Sequence, residues 1–274
     1  MHEQIFDKPI REVAQPRPRP RFRLNRRYAS WLALAAVLAL WQLVTWLKLY
    51  PDFIIPPPLS VLEKFAEVIR DGRLWLHTST TLVEVLAALA VGLSVGVLLG
   101  YVLAKLPFLE DALSPLIVTL QSMPVVAYAP LLVIWFGSGP TSKIVTGALI
   151  VFFPILVNTI VGVRSVPLHL RDLMRSMQAT RWQTFTRLEV PAALPVLLSG
   201  MKISATLAVI GAVVGEFVSA NAGLGVLITQ ARGKYDTALV VVVVLTLTVI
   251  ARSLYGLVSL IERRALAWQK RARR

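Results

Sequence analysis

The chain has 274 residues, 56% of them hydrophobic and 16% charged, against about 45–50% and about 25% in ordinary soluble domains, which argues against a soluble globular protein. Its 29 Lys and Arg against 15 Asp and Glu leave a net charge of +14, and in a chain this apolar that charge points to anionic lipid headgroups ahead of nucleic acid. The absence of cysteine removes disulfides, thiolate nucleophiles, Cys-ligated zinc and iron–sulfur clusters. The histidines at 2, 77 and 169 form no local metal motif.

Residues 1–30 read as a basic, solvated cytoplasmic tail. Its run from Pro16 to Arg23 alternates proline and arginine, so proline blocks helix and the cations repel. Two roles stay open for it: a topogenic anchor on anionic lipid, or a regulatory docking segment. Six apolar stretches follow at 31–47, 82–104, 112–136, 144–163, 196–218 and 237–260, each long enough to cross a bilayer. Together they define an all-α polytopic membrane protein with six transmembrane helices over residues 31–260. A basic cytoplasmic tail, 261–274, follows. The β-branched run from Ala238 to Ile250 would pass for a buried strand in water. In lipid, where every backbone group must be satisfied internally, it is expected to be helical.

Orientation follows from the cations between the spans. With the N-terminus inside, 20 Lys and Arg fall in inside segments and seven in outside ones, so both termini are expected in the cytoplasm of a plasma (inner) membrane protein.

Outside the first span, Ser60-Val-Leu-Glu63 has the pattern of a capping box. Leu62, Phe65 and Ile69 then repeat on one face until Gly72, predicting a short amphipathic helix on the bilayer or on the other spans. The second span carries Gly92, Gly96 and Gly100 at four-residue spacing, a ridge that lets two helix backbones approach closely. Its partner is either within the chain or in a second copy. The third span contains Pro115, Pro124 and Pro130, which predicts a broken helix, with Gln121 and Ser122 before the middle proline. Asn158 in the fourth span is a further polar group at depth. Gln121, Ser122 and Asn158 serve either as interhelical hydrogen-bonding groups or as lining of a substrate path.

Ionisable groups within spans need partners or water. Glu84, at the start of the second span, and Glu216, at the end of the fifth, both fall toward the outer face. Gly215 and the Gly223-Leu-Gly225 loop mark unusual backbone beside Glu216, which makes both acids path candidates. Lys202 and Arg252 lie toward the inner ends of their spans.

Residues 164–195 form a cytoplasmic segment far longer than a connection requires. Leu170, Leu173, Met174 and Met177 share a helical face flanked by Arg171, Asp172 and Arg175. Thr180-Arg-Trp-Gln183 forms a capping box opening a second short helix with Trp182, Phe185 and Leu188 on its apolar side, which Pro191 and Pro195 should end. Two amphipathic helices with Met, Trp and Phe anchors and an arginine rim suit a protein-docking surface, or alternatively a lipid surface.

This segment resembles the EAA loop of ABC importer inner-membrane subunits, whose pattern is Glu-Ala-Ala, three residues, Gly, nine residues, Ile, one residue, Leu-Pro. Set on Pro191, the pattern falls on Asp172-Leu-Met174, Gln178, Leu188 and Val190, with Asp for Glu and Gln178 for the glycine. Further stretches are similar to the permeases for nitrate, sulfonate, taurine and thiamine- or riboflavin-precursor uptake: Ile55-Pro-Pro-Pro58, Met123-Pro-Val-Val-Ala-Tyr-Ala-Pro130, Ile134-Trp-Phe-Gly137, Ala179-Thr-Arg-Trp-Gln183, Pro191-Ala-Ala-Leu-Pro195, Gly215-Glu-Phe217 and Gly223-Leu-Gly225.

The resemblance implies a type I ABC importer permease: a homodimer of six-helix subunits, an ATP-binding subunit docked on each loop, and an extracytoplasmic substrate-binding protein. The coupling surface would comprise Asp172, Met174, Arg175, Gln178, Thr180, Arg181, Trp182, Phe185 and Pro191. Gln178 in place of glycine raises the prospect of continuous helix through the usual turn. The chain has no Gly-x-x-x-x-Gly-Lys-Ser/Thr phosphate loop, so it is read as no enzyme itself and as carrying no cofactor, with ATP hydrolysed on a partner subunit. Its partners are expected to include lipid and no nucleic acid. The substrate reads as a vitamin precursor, pyrimidine- or riboflavin-like. A nitrate, sulfonate or taurine permease is the alternative, and an ion-coupled secondary carrier is the alternative from another class, which midplane acids and inverted repeats would mark.

Overall fold

The computed structural model describes residues 26–219 and 221–267, with the backbone alone for 26–30. Most of the basic N-terminal tail and the last seven residues of the C-terminal one fall outside the described residues. Among the described residues the secondary structure is entirely helical. The chain divides into two compact units, residues 1–49 and 50–274. The first contributes one apolar helix, α1 (Arg26–Trp46).

In the second unit, α2 (Pro58–Arg70) precedes α3 (Arg73–Lys105), and a bent pair follows, α4 (Pro107–Ser122) and α5 (Val125–Phe136). Then come α6 (Pro140–Arg164), α7 (Leu168–Ser176), α8 (Arg181–Thr184), a π turn over Phe185–Glu189, α9 (Val190–Val218), α10 (Leu224–Gly233) and α11 (Thr237–Ala265). Among the described residues four helical segments are long and apolar enough to cross a membrane: α3, α6, α8 through α9, and α11. The α4–α5 pair makes a fifth if taken as one broken span, bent by 97°. The bend falls at Met123-Pro124, where Met123 is extended and Pro124 caps α5, as the proline pattern predicts. The β-branched run lies wholly within helical α11.

The glycine ridge of α3 packs within the chain. A Cβ on Gly92 would stand 2.7 Å from the Ala148 carbonyl and Val151, and one on Gly100 would stand 2.7 Å from the Leu156 carbonyl and Thr159. Gly96 meets Ile155 and the Phe152 carbonyl in the same way. On the other side of α6, Gly147 meets Gly211, and Gly162 meets Ala193 of α9. Three backbones thus stack α3 on α6 on α9, held by close packing where the surroundings supply no hydrophobic drive. Val85, Leu89, Val151, Ile155, Ala205, Ala208 and Val209 fill the core between them, and Leu254 and Val258 of α11 close it.

Three local expectations fail. Helix α2 starts at Pro58 behind Pro57, two residues before Ser60, and no side chain caps it. Proline presets the first helical turn, which leaves Ser60 inside it, its hydroxyl donating to the Pro57 carbonyl at 2.8 Å. Pro191 and Pro195 do not end the second loop helix, since helix runs without interruption from Arg181 to Val218. The π turn just before Pro191, closed by the Val190 N–H on the Phe185 carbonyl, shifts the hydrogen-bond register where a proline would otherwise break it. Gln178 does not extend α7. It takes φ 52, the left-handed position a glycine would fill, and the turn closes through Ala179 N–H on the Met174 carbonyl at 3.0 Å.

Candidate functional site

At the α10 end of the bundle the chain buries a polar network. Glu216, at the last turn of α9, is 2% exposed. Its Oε1 accepts from Thr81 Oγ1 of α3 at 2.6 Å, and its Oε2 accepts the Gly225 N–H. The same Thr81 oxygen accepts the Leu224 N–H at 2.7 Å. One α3 turn earlier, His77 Nδ1 lies 2.8 Å from the Gly223 carbonyl and 3.0 Å from its N–H. These bonds satisfy the orphan N–H groups at the start of α10 and fix that helix to α3 and α9. Gly223 has φ +128, and a Cβ there would fall on the Glu216 carboxylate, so the site requires glycine on both counts.

Glu84, one turn beyond Thr81 on α3, faces Lys143 Nζ of α6 at 3.7 Å, with both side chains buried. Lys143 also donates to the Ser138 carbonyl at 3.4 Å, and Gly215 packs directly on its stem. The second oxygen of Glu84 is buried without a hydrogen bond. Burial of both charges costs several kcal/mol of solvation per ion, which their attraction offsets only while the pair stays intact.

The opposite end holds a third buried acid. Glu189, last residue of the π turn and 3% exposed, accepts from Tyr101 Oη at 3.1 Å and from Lys105 Nζ, both on α3. Arg164 at the end of α6 pairs with Glu110 at the start of α4. The loop lies beside this anchor. Thr180 and Gln183 form the reciprocal capping box read from the sequence, Gln183 N–H to Thr180 Oγ1 at 3.2 Å and Thr180 N–H to Gln183 Oε1 at 2.8 Å. Phe185 packs edge-on to Tyr101 with ring centroids 5.2 Å apart and beneath Trp182 at 5.6 Å. Leu173, Met177 and Trp182 are exposed. So are Arg181, Arg175 and Asp172, the last two in a loose 3.4 Å pair.

The expected path residues divide. Glu84 and Glu216 share the α10-end region. Asn158 instead donates to the Pro154 carbonyl of its own helix at 2.7 Å and fills the space above Gly200. Ser122 donates to the Val118 carbonyl, and Gln121 and Ser122 are both exposed before the α4–α5 break. Among the span cations, Lys202 pairs with Glu262 at 2.8 Å, and Arg252 lies 5.5 Å from the Tyr255 ring centroid. The sequence reading passed over His77, Thr81, Lys143 and Glu189. Lys143 sat just outside the 144–163 window, and the pattern that could have raised it is a helix start at Pro140.

The chain is similar to known membrane proteins over most of its length. Residues 92–266 match the family "binding-protein-dependent transport system inner membrane component". The riboflavin transport system permease protein RibX of Chloroflexus aurantiacus is 43% identical over 256 residues, 91% of this chain and 95% of that protein. The formylaminopyrimidine transport permease protein ThiX of Halalkalibacterium halodurans is 34% identical across 80% of this chain and 87% of its own. The taurine transport system permease protein TauC of Escherichia coli is 31% identical across 86% and 87%. A chain of the inward-facing MetNI methionine ABC transporter superposes with a TM-score of 0.58 at 24% identity, covering 72% of this chain and 95% of its own, which establishes the shared fold. The chain belongs to the binding-protein-dependent inner-membrane component family: it is a multi-pass permease subunit of an ABC importer, with ATP hydrolysis on a separate subunit.

Proposed function

We propose that this permease imports riboflavin or a closely related uncharged heterocycle, delivered by an extracytoplasmic binding protein. In this reading two copies form the path, both termini face the cytoplasm, and the α7–α8 segment receives the ATP-binding subunit. The observation that carries the substrate reading is the engagement of the cations within the spans: Lys143 with Glu84, Lys202 with Glu262, Arg252 over Tyr255. Such groups leave little to attract a nitrate or sulfonate, and the 43% identity with a riboflavin permease points the same way. The formylaminopyrimidine permease, at 34%, supports a pyrimidine as the second reading. Gln121, Ser122, Asn158, Glu84 and Glu216 remain the proposed contributors to the path, the last two as a brace at its outer mouth. The two-state cycle tilts α4–α5, α6 and α9 as the ATPase pair closes against the loop.

The test is uptake by proteoliposomes holding the permease, its ATPase subunit and its binding protein, supplied with lumenal ATP. Riboflavin should accumulate and taurine should not. Accumulation of taurine without riboflavin would overturn the substrate reading, and accumulation without any ATPase subunit would overturn the dependence on it.

A further inference from the structure

Beside the loop anchor lie two adjoining concavities of opposite character. The first, about 680 Å³, is lined by Lys105, Arg171, Arg175, Arg181, Tyr101 and Glu189. The second, about 220 Å³, is apolar and runs along the bundle over Val97, Leu98, Val163, Val190 and Leu197. Tyr101 and Glu189 border both, so the two meet at the buried acid.

The charge in the first concavity is not balanced internally. Both oxygens of Glu189 are taken, by Tyr101 and Lys105, which leaves the three arginines. Arg175 holds Asp172 only loosely, at 3.4 Å. Among the described residues Arg181 carries no ion pair. Arg171 spends one nitrogen on the Val163 carbonyl at 2.8 Å, and its Nε is buried with no acceptor. A buried guanidinium N–H without a partner is costly, and among the described residues Arg171, like Arg181, has no carboxylate to neutralise it. An anion at this place would bond Arg171 and Arg181 and leave the Glu189 pair undisturbed.

The apolar groove limits what that anion belongs to. It follows α3, α6 and α9, helices long and apolar enough to cross a membrane, and its open side carries exposed Val97, Leu98 and Val190, an apolar surface that a bilayer would cover. A free anion would leave the groove empty, and a carboxylate on a soluble partner would have no reason to enter it. An amphiphile whose charged head sits at the helix ends and whose tail lies along the helices fills both. We propose that the arginine concavity and the groove together form one binding site for an anionic phospholipid, its phosphate on Arg171 and Arg181 and an acyl chain over Val97, Leu98 and Leu197. Such a lipid would tie the α7–α8 segment to the bilayer through the same Tyr101–Glu189 corner that anchors it to α3. The site rests on membership of the membrane family and not on the docking role of the loop, which fails separately, as unchanged retention of the ATPase subunit.

The experiment is native mass spectrometry of the full permease complex in detergent, titrated with phosphatidylglycerol and, in a parallel arm, phosphatidylcholine of the same chains. Phosphatidylglycerol should remain bound under activation that strips phosphatidylcholine. Arg171→Gln and Arg181→Gln should each weaken its binding by about tenfold, the loss of one charge-assisted hydrogen bond. Arg171 also holds the Val163 carbonyl, so Arg181→Gln carries the test if the first variant fails to fold. Leu98→Trp, which fills the groove, should weaken phosphatidylglycerol likewise. Equal retention of the two lipids, or wild-type affinity in Arg181→Gln and Leu98→Trp, would overturn the proposal. So would complete displacement of the lipid by inorganic phosphate, which would make this a free-anion site.

Discussion

Thr81 and Glu216 stand 135 positions apart in the chain, yet their side chains share a 2.6 Å hydrogen bond, and the same threonine oxygen takes the Leu224 N–H at 2.7 Å. One hydroxyl therefore joins α3, the end of α9 and the start of α10, and it does so out of water. The carboxylate it serves also accepts the Gly225 N–H, so α10 is fastened at its first turn by two side chains of other helices.

Removing that hydroxyl should loosen α10 as a unit. Thr81→Val keeps the shape but leaves the Leu224 N–H unmet and costs Glu216 its Thr81 donor, at about 1–3 kcal/mol per stranded group. Thr81→Ser should retain most of the stability. Gly223→Ala should be worse than either, because its Cβ would fall on the carboxylate at a φ that side chains rarely adopt. Thermal midpoints in detergent check the order, and a Thr81→Val midpoint equal to wild type would remove the brace.

The Glu84–Lys143 pair predicts non-additivity. Lys143→Met alone strands a buried carboxylate and should cost about 3–5 kcal/mol, whereas Lys143→Met with Glu84→Gln leaves no net charge and should recover much of it. A double-mutant cycle on thermal stability reads the coupling directly. Additive losses would mean that the 3.7 Å contact carries no energy.

Packing of α3 on α6 has no slack at Gly96. Its Cβ position lies 2.9 Å from Ile155 and 3.0 Å from the Phe152 carbonyl, so Gly96→Leu must separate the two helices. Overpacking typically costs about 1–3 kcal/mol and occasionally more. The substitution should lower folded yield, while Gly256→Leu on α11, where nothing lies within 4 Å, should leave it unchanged.

These sites were unequally visible in the sequence. Hydropathy revealed the long apolar helices, and three prolines foretold the break at Pro124, because lipid allows few ways to satisfy a freed carbonyl. Thr81 gave no distinct signal, being the last of four consecutive hydroxyl residues, Thr78 to Thr81, and its partners arrive from residues 216 and 224. Lys143 looked like a loop cation because α6 begins four residues before its most apolar stretch. The prolines at 191 and 195 misled for a different reason: a π turn absorbs the register change, and nothing in Phe185-Thr-Arg-Leu-Glu189 announces one. Glycine spacing revealed close packing but not its partner, which is α6 of the same chain, where Ala148, Val151, Ile155 and Thr159 receive the ridge.

Gln178 offers a test of local strain with little tertiary entanglement. It is exposed, and it holds φ 52 between α7 and α8. Gln178→Gly should stabilise the loop by up to about 1 kcal/mol, and Gln178→Val should destabilise it by about 1–2 kcal/mol, because a β-branched residue fits the left-handed region poorly. Hydrogen exchange of the Ala179 N–H, which closes the turn on the Met174 carbonyl, should slow in the first variant and quicken in the second.

The proposed docking of the ATP-binding subunit makes its own prediction. Trp182 is 71% exposed yet stacked on Phe185, which in turn packs on Tyr101 of α3, so the exposed ring stands on a rigid base. Exposed aromatics with adjacent arginines are the groups that dominate interface energies. Trp182→Ala should therefore lower co-purification of the ATPase subunit by the equivalent of about 2 kcal/mol or more. Arg175→Glu and Arg181→Glu should lower it by a salt-dependent amount, as expected for rim charges. None of the three should reduce the amount of permease in the membrane, since none is buried. Undiminished co-purification in all three would move the docking surface off the α7–α8 segment.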